Sequence, residues 1–256
     1  MAERPTGTPC WVDVSVPDVE AAKTFYTELL GWDCRTDPRP EAGGYTMCFV
    51  DGVVAAAITP MWGEDAKAGW SVYIASDDAD LSATAVTENG GQVLAAPMDI
   101  FDSGRMAFCV DPVGATFGIW QKARHRGFET DFVPGAVAWI ELVARNAPAA
   151  AAFYRAVFGL EAVTFPGMEN YWLLEQGGVT AGGLIELNEE TSGAEGSHWR
   201  VYVSVADADA TCEQTAALGG RVEVAAFDAE GIGRIAFIRD PFNVRLGVIQ
   251  PEQPQG

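Results

Sequence analysis

The 256-residue sequence predicts a mixed α+β fold in which a strand, a helix and further strands occur in that order four times. Two observations predict it: the chain repeats itself in tandem, and each repeat subdivides again. Trp11–Gly31, "WVDVSVPDVEAAKTFYTELLG", aligns with Trp139–Gly159, "WIELVARNAPAAAAFYRAVFG". A second pair of similar segments begins at Trp70 and Trp199.

The alignment predicts two domains joined by a linker. The first repeat is placed at residues 8–122 and the second at residues 136–251. Residues 123–135 between them are mostly polar and end in Pro134-Gly135, a composition typical of a linker.

The first unit begins with Trp11–Val16, where large apolar residues alternate with polar or small ones as in a strand. Asp18 then suits a helix N-cap and Gly31 a helix end. Apolar residues at helical spacing lie between them. They are Ala22, Phe25, Tyr26, Leu29 and Leu30. Two strands are predicted next, at Tyr45–Val50 and Val53–Thr59.

The unit that follows Trp70 has the same order of elements. A strand leads into a helix at about Asp78–Asn89, which ends at Gly90-Gly91. Strands are then predicted near residues 92–97, 105–110 and 115–121. The second repeat is expected to follow the same plan from Trp139.

Composition excludes several classes of function. The net charge of −20 repels phosphate backbones, so nucleic acid is not expected as a partner. We find no run of about 18 apolar residues and no secretory signal, which predicts a cytoplasmic protein without a membrane span. The cysteines lack metal-binding spacing, so inert, buried thiols are expected. They are Cys10, Cys34, Cys48, Cys109 and Cys212.

Several motifs recur at matching places in both repeats. Phe-Tyr lies within the first helix, a Leu-Gly or Gly-Leu pair ends it, Gly-Gly follows the second helix, and Asp-Pro comes late. In this order the chain resembles the vicinal oxygen chelate superfamily of glyoxalases, extradiol dioxygenases and bleomycin-resistance proteins. The resemblance covers nearly the whole chain. It implies four βαβββ modules paired into two half-open barrels, each with a cavity.

Metal-using members of that superfamily hold a divalent ion with histidine and glutamate side chains at set strand positions. The residues at three of these positions in the two repeats are Trp11, Ser71 and Gly118, then Trp139, Arg200 and Gly247. A fourth position falls around Ala55–Ala57 and Ala181–Gly183, where no acid stands. Such ions need converging oxygen or imidazole donors, so neither a metal nor another cofactor is expected.

Strand alternation predicts which residues line the cavities. The candidate ligand-binding residues are Trp11, Ser71, Tyr73, Gly118, Trp120, Trp139, Arg200, Tyr202 and Gly247, with Asp13 and Glu141 as candidate catalytic bases. In glyoxalase-like members a barrel often combines modules of different copies. If that applies, Asp13 shares a cavity with Arg200. Alternatively, the aromatic residues fill closed barrels as core.

The leading hypothesis is metal-independent binding of a small, planar aromatic metabolite or drug, for resistance or as a biosynthetic carrier, because aromatic walls with few polar groups suit organic ligands. The alternative is a cofactor-independent enzyme of aromatic natural-product biosynthesis that uses Asp13 or Glu141 as base. A metal-dependent lyase or dioxygenase is a third hypothesis, disfavoured by the ligand positions. The chain is expected to act as a monomer or homodimer with a small-molecule partner.

Overall fold

The computed structural model describes residues 4–63, 66–128, 133–187 and 196–252. The first repeat contains β1 (Pro9–Val16), α1 (Val19–Leu30), β2 (Asp33–Thr36), β3 (Thr46–Val50), β4 (Val53–Pro60), β5 (Gly69–Ala75), α2 (Ala79–Glu88), β6 (Gln92–Ile100), β7 (Gly104–Val110) and β8 (Thr116–Lys122), with a short 3₁₀ turn at Pro40–Ala42. The second repeat contains β9 (Val137–Ala144), α3 (Ala147–Phe158), β10 (Glu161–Thr164), β11 (Tyr171–Gln176), β12 (Val179–Glu186), β13 (His198–Ser204), α4 (Ala208–Ala217), β14 (Arg221–Ala229), β15 (Gly233–Arg239) and β16 (Arg245–Pro251). None of these helices is long and apolar enough to cross a membrane.

The strands form two eight-stranded sheets, one from each repeat. The orders are β2-β3-β4-β1-β5-β8-β7-β6 and β10-β11-β12-β9-β13-β16-β15-β14. Within each βαβββ module the first strand runs parallel to the last, as β1 does with β4 and β5 with β8. Both sheets keep free edge strands, so neither closes into a complete barrel. The α+β fold of four modules in two half-open sheets is confirmed.

Local sequence signals set the helix ends as expected. The Asp18 side chain accepts a hydrogen bond from the Ala21 backbone N–H at 3.0 Å, which is an N-cap. Gly31 ends α1 in the left-handed conformation at φ +71°, where glycine is favoured. In the second repeat, Asn146 caps α3 in the same manner and Gly159 ends it.

The residue pattern alone missed one strand in each first module, although the resemblance implied three strands after the helix. The residue pattern predicted two strands after α1, and the structure adds a third, β2. This strand is only four residues long and mostly exposed, so it carries no apolar alternation. It is a strand because it pairs along its whole length with β3. Its counterpart β10 pairs with β11 in the same way.

The chain packs as two compact units that do not coincide with the two repeats. The first unit comprises Met1–Trp11, Ser71–Gly127 and Ile140–Arg200, and the second comprises Val12–Trp70, Phe128–Trp139 and Val201–Gly256. Each unit therefore takes one module from each repeat. Helix α2 contacts α3 in the first unit, and α1 contacts α4 in the second.

The repeated Phe-Tyr and Asp-Pro motifs meet inside these units. In the first unit, the buried Tyr154 hydroxyl donates to Asp111 Oδ2 at 3.1 Å. In the second, Tyr26 donates to Asp240 Oδ2 at 3.0 Å. Each aspartate also accepts hydrogen bonds from backbone N–H groups of its own turn. The tyrosine of one repeat is thus bonded to the turn of the other, which satisfies a buried carboxylate.

Candidate functional site

In the first unit, the predicted cavity residues are packed as interior. Trp11 is only 2% exposed, and Tyr73 and Trp120 are also buried, while Ser71 is half-buried. Tyr73 lies directly opposite Gly118 in the β5–β8 pair. A Cβ atom added to Gly118 would lie 2.0 Å from Cδ1 of the Tyr73 ring. The ring for which this glycine makes room is therefore the protein's own.

Replacing Gly118 with alanine is expected to lower the free energy of unfolding by about 1–3 kcal/mol, because the Tyr73 ring has to move out of a packed interior. Denaturant unfolding measures the effect. Gly69, at the start of β5, is the matched control, since an added Cβ there meets nothing within 4 Å. Equal stabilities for the two alanine variants would contradict the packing of Tyr73 on Gly118.

The beginning of the predicted linker folds back onto this interior. The His125 ring meets the Trp11 ring edge to face, with centroids 4.3 Å apart, and lies 5.5 Å from that of Trp120. Trp120 Nε1 donates to the His125 carbonyl oxygen at 2.9 Å. Gly127 has φ +103°, and a Cβ there would lie 2.1 Å from the Cys10 carbonyl oxygen. His125 thus covers the two tryptophans, a role that no local sequence signal indicated.

A small cleft with a positive lining lies next to Trp120 in the same unit. It has an empty volume of about 270 Å³, which includes open solvent. Its lining includes Arg4, Lys122 and Arg126, and Asp77 is the acid among its described lining residues. Sequence reasoning missed this cleft because its residues come from three separate stretches of the chain.

The buried thiol that lines this cleft is not poised to react. Burial raises the pKa of Cys10 to about 12, although the nearby charges of Arg4 and Lys122 act in the opposite direction. The thiol is therefore protonated at neutral pH, and the thiolate is the reactive form. For Cys10, this agrees with the expectation of an inert thiol.

Glu141 and Arg200 form a buried ion pair in the first unit. Arg200 Nη1 lies 3.0 Å from Glu141 Oε2, and their side chains are 10% and 5% exposed. Both residues belong to the second repeat. The expectation that Arg200 shares a cavity with Asp13 of the first repeat stays a prediction; the ion pair that Arg200 forms is with Glu141 of its own sheet. Asp13 is buried on β1, opposite Ala57 of β4.

The second unit holds an aromatic cluster that includes Trp139 and Tyr202, two of the predicted ligand-binding residues. Buried Tyr202, Ile235 and Ile249 are packed against half-buried Trp139 and Phe237. We call these five residues the Trp139 cluster.

Tyr202 lies over Gly247 in the same way that Tyr73 lies over Gly118. A Cβ atom added to Gly247 would lie 2.1 Å from Cδ1 of the Tyr202 ring. The Phe237 ring contacts Tyr202 edge to face, with centroids 5.7 Å apart. Phe237 and Ile235 were missed by sequence reasoning, although strand alternation on β15 places both on one face.

The residues at the metal-ligand positions do not fit a divalent ion. Indole rings occupy two positions, and the glycine positions are covered by tyrosine rings. The fourth position is formed by small apolar residues: Ala57 lies opposite Asp13, and Gly183 opposite Glu141. Among the described residues, no group of three or more His, Cys, Asp or Glu side chains converges to hold a metal.

Four βαβββ modules in two open sheets define the glyoxalase-like class of folds. The chain belongs to the Glyoxalase/Bleomycin resistance protein/Dioxygenase superfamily, whose sequence model matches residues 10–119 and 136–248. Among solved structures, the fold is similar to that of the Mn(II)-bound glyoxalase from Novosphingobium aromaticivorans. The TM-score is 0.67 at 15% identity, with 97% of this chain and 83% of that chain covered.

Two relatives are similar along almost their whole length. "Putative glyoxylase CFP32" of Mycobacterium tuberculosis (strain CDC 1551 / Oshkosh) is 40% identical in an alignment of 255 positions that covers 97% of each chain. "Anthracycline biosynthesis protein DauV" of Streptomyces sp. (strain C5) is 39% identical in an alignment of 265 positions that covers 95% of this chain and 93% of that one.

Proposed function

We propose that the chain binds a small, planar aromatic compound at the Trp139 cluster without the help of a metal. The observation that carries the proposal is the exposure of this cluster: Trp139 and Phe237 are half-buried beside the buried Tyr202 ring. Flat apolar walls with few polar groups are typical of sites for organic ligands, and aromatic rings stack on such walls.

The two repeats differ in how their equivalent tryptophans are packed. Trp11 is buried and meets the ring of His125, whereas Trp139 keeps part of its surface exposed. A ligand that stacks on Trp11 has to displace His125 first. The second repeat therefore supplies the better site, and one ligand per chain is expected.

The relatives support an aromatic ligand. The name of DauV places it in anthracycline biosynthesis, and anthracyclines contain a planar, fused aromatic ring system. The name of CFP32 refers to a glyoxylase. A metal-dependent lyase does not fit the residues at the ligand positions of this chain. We assign the chain a role as carrier or protective binder of such an aromatic compound.

The proposal is tested by titrating the full chain with a water-soluble hydroxyanthraquinone while recording tryptophan fluorescence, with calorimetry for stoichiometry. Saturable quenching is expected, and Trp139→Ala should weaken binding about ten-fold through the loss of a stacking surface. Trp62→Ala is the matched control, because Trp62 is an exposed tryptophan of the same unit. Unsaturable quenching, or equal affinity in the two variants, would overturn the proposal.

A cofactor-independent enzyme is the second candidate. Asp13 and Glu141, at equivalent strand positions, are both buried carboxylates, as an active-site base often is. Glu141 would have to give up its ion pair with Arg200 to accept a proton. Product formation from the hydroxyanthraquinone, lost in Asp13→Asn or in Glu141→Gln, would support this candidate. Turnover that survives both substitutions would exclude acid–base catalysis by these residues.

A further inference from the structure

Two of the cysteines face each other across neighbouring strands of the second unit. Cys34 on β2 lies directly opposite Cys48 on β3. Their Sγ atoms are 3.0 Å apart, within about 1 Å of a disulfide bond length of about 2.05 Å. The sequence did not suggest this pair, because the two cysteines are 14 residues apart and no residue pattern located β2.

The strand geometry suits a disulfide. Directly opposed residues in antiparallel strands have Cα atoms about 4.5–5.5 Å apart. Cysteines joined by a disulfide have Cα atoms about 4.4–6.8 Å apart. Forming the bond between Cys34 and Cys48 therefore requires a small movement of side chains and no change of register.

The two thiols have different environments. The hydrogen bond from Cys48, together with one from Thr27 Oγ1 and the charge of Lys23, lowers the pKa of Cys34. Cys34 is also half-buried and thus accessible in part. Cys48 is fully buried, and burial raises its pKa above the ordinary range. Cys34 thus has the properties of an attacking thiolate, and Cys48 is placed to resolve it because its sulfur lies 3.0 Å away.

We propose that Cys34 and Cys48 form a peroxide-sensitive site that closes reversibly into an intrachain disulfide. The Cys34 thiolate attacks one oxygen of a hydroperoxide; the S–O bond forms, the O–O bond breaks, and the leaving alkoxide or hydroxide takes up a proton. The Cys48 sulfur then attacks the Cys34 sulfenic acid; the S–S bond forms, the S–O bond breaks, and water leaves with the Cys48 proton. The two thiols supply the two electrons that reduce the peroxide.

The chemistry has a structural consequence at the edge of the first-repeat sheet. β2 is the edge strand there, and it is held by its pairing with β3. A covalent link between Cys34 and Cys48 would tie this short, exposed strand to its neighbour. Strand β2 should therefore unfold locally less often in the oxidised chain than in the reduced chain. Amide hydrogen exchange at β2 should be correspondingly slower after oxidation.

The test uses the reduced full chain, treated with hydrogen peroxide, alkylated and mapped by mass spectrometry without reduction. We expect a peptide in which Cys34 is linked to Cys48, with a mass loss of about 2 Da for the two hydrogens removed and full reversal by dithiothreitol. Recovery of both cysteines in alkylated form, or irreversible oxidation of Cys34 without the link, would overturn the proposal.

Three variants separate the roles of the thiols. Cys48→Ser should leave Cys34 as a sulfenic acid that dimedone traps, and Cys34→Ser should slow peroxide consumption at least ten-fold. Cys212→Ser is the matched control: Cys212 is also half-buried, but burial raises its pKa, so its loss should leave the linkage unchanged. Oxidation of Cys212 at the rate of Cys34 would contradict the proposal. Where a variant fails to fold, the peptide mapping of the oxidised wild-type chain still tests the linkage.

Discussion

Replacing Arg200 with methionine is expected to lower the free energy of unfolding by about 3–5 kcal/mol, because it removes the guanidinium 3.0 Å from the buried Glu141 carboxylate. Methionine keeps most of the side-chain length, so the loss reflects charge rather than an empty cavity. Urea unfolding at neutral pH measures the difference. The double variant Arg200→Met with Glu141→Gln removes both charges and should recover a large part of the stability.

The matched control is an arginine with exposed partners. Arg105 bonds Asp80 and Asp99, whose side chains are largely exposed. Arg105→Met should lower the stability far less than Arg200→Met does, because solvent screens such pairs. If Arg200→Met costs no more than Arg105→Met, then Glu141 and Arg200 do not form a buried pair in solution.

Lowering the pH from 7 to 4 is expected to remove about 3 kcal/mol of stability through His125 alone. Burial lowers the pKa of His125 to about 4 from its ordinary value of 6.5. Above pH 6.5 the histidine is neutral in both states, and its contribution is fully present. Below pH 6.5 the unfolded chain takes up a proton that the folded chain does not. The folded state therefore loses about 1.4 kcal/mol per pH unit until His125 is protonated near pH 4.

The measurement compares unfolding free energies of the wild type and His125→Gln at several pH values. The carboxylates titrate in both proteins, so the difference between the two curves isolates His125. The difference should be constant above pH 7 and should shrink steadily between pH 6.5 and 4. Parallel curves over this range would show that His125 is not buried against Trp11 and Trp120.

Local sequence patterns were sufficient to predict most of the fold. Helix α1 and its ends follow from the Asp18 cap, the spacing of the apolar residues and Gly31, all of which act within a few residues of chain. The tandem repeat extended this prediction to four modules. Strand β2 could not be predicted in this way, because hydrogen bonds to β3 hold it and its own residues are mostly exposed.

For the candidate site, the sequence predicted the directions of side chains along each strand but not the contacts between strands. Alternation along a strand indicated that Trp11, Asp13, Trp139 and Glu141 share one orientation, because side chains on a strand repeat every two residues. The metal-ligand positions themselves came from the resemblance to the superfamily, and alternation extended them to their neighbours on each strand. It could not say what lies opposite these residues.

The sequence by itself determined the repeated modules, their helix caps and the residue types at the ligand positions. Only the tertiary structure decided that Glu141 pairs with Arg200, that His125 covers Trp11 and that Cys34 meets Cys48. The reason is physical: helix caps and strand alternation are set by neighbours along the chain, whereas these contacts join segments that meet only when the sheets and the linker pack.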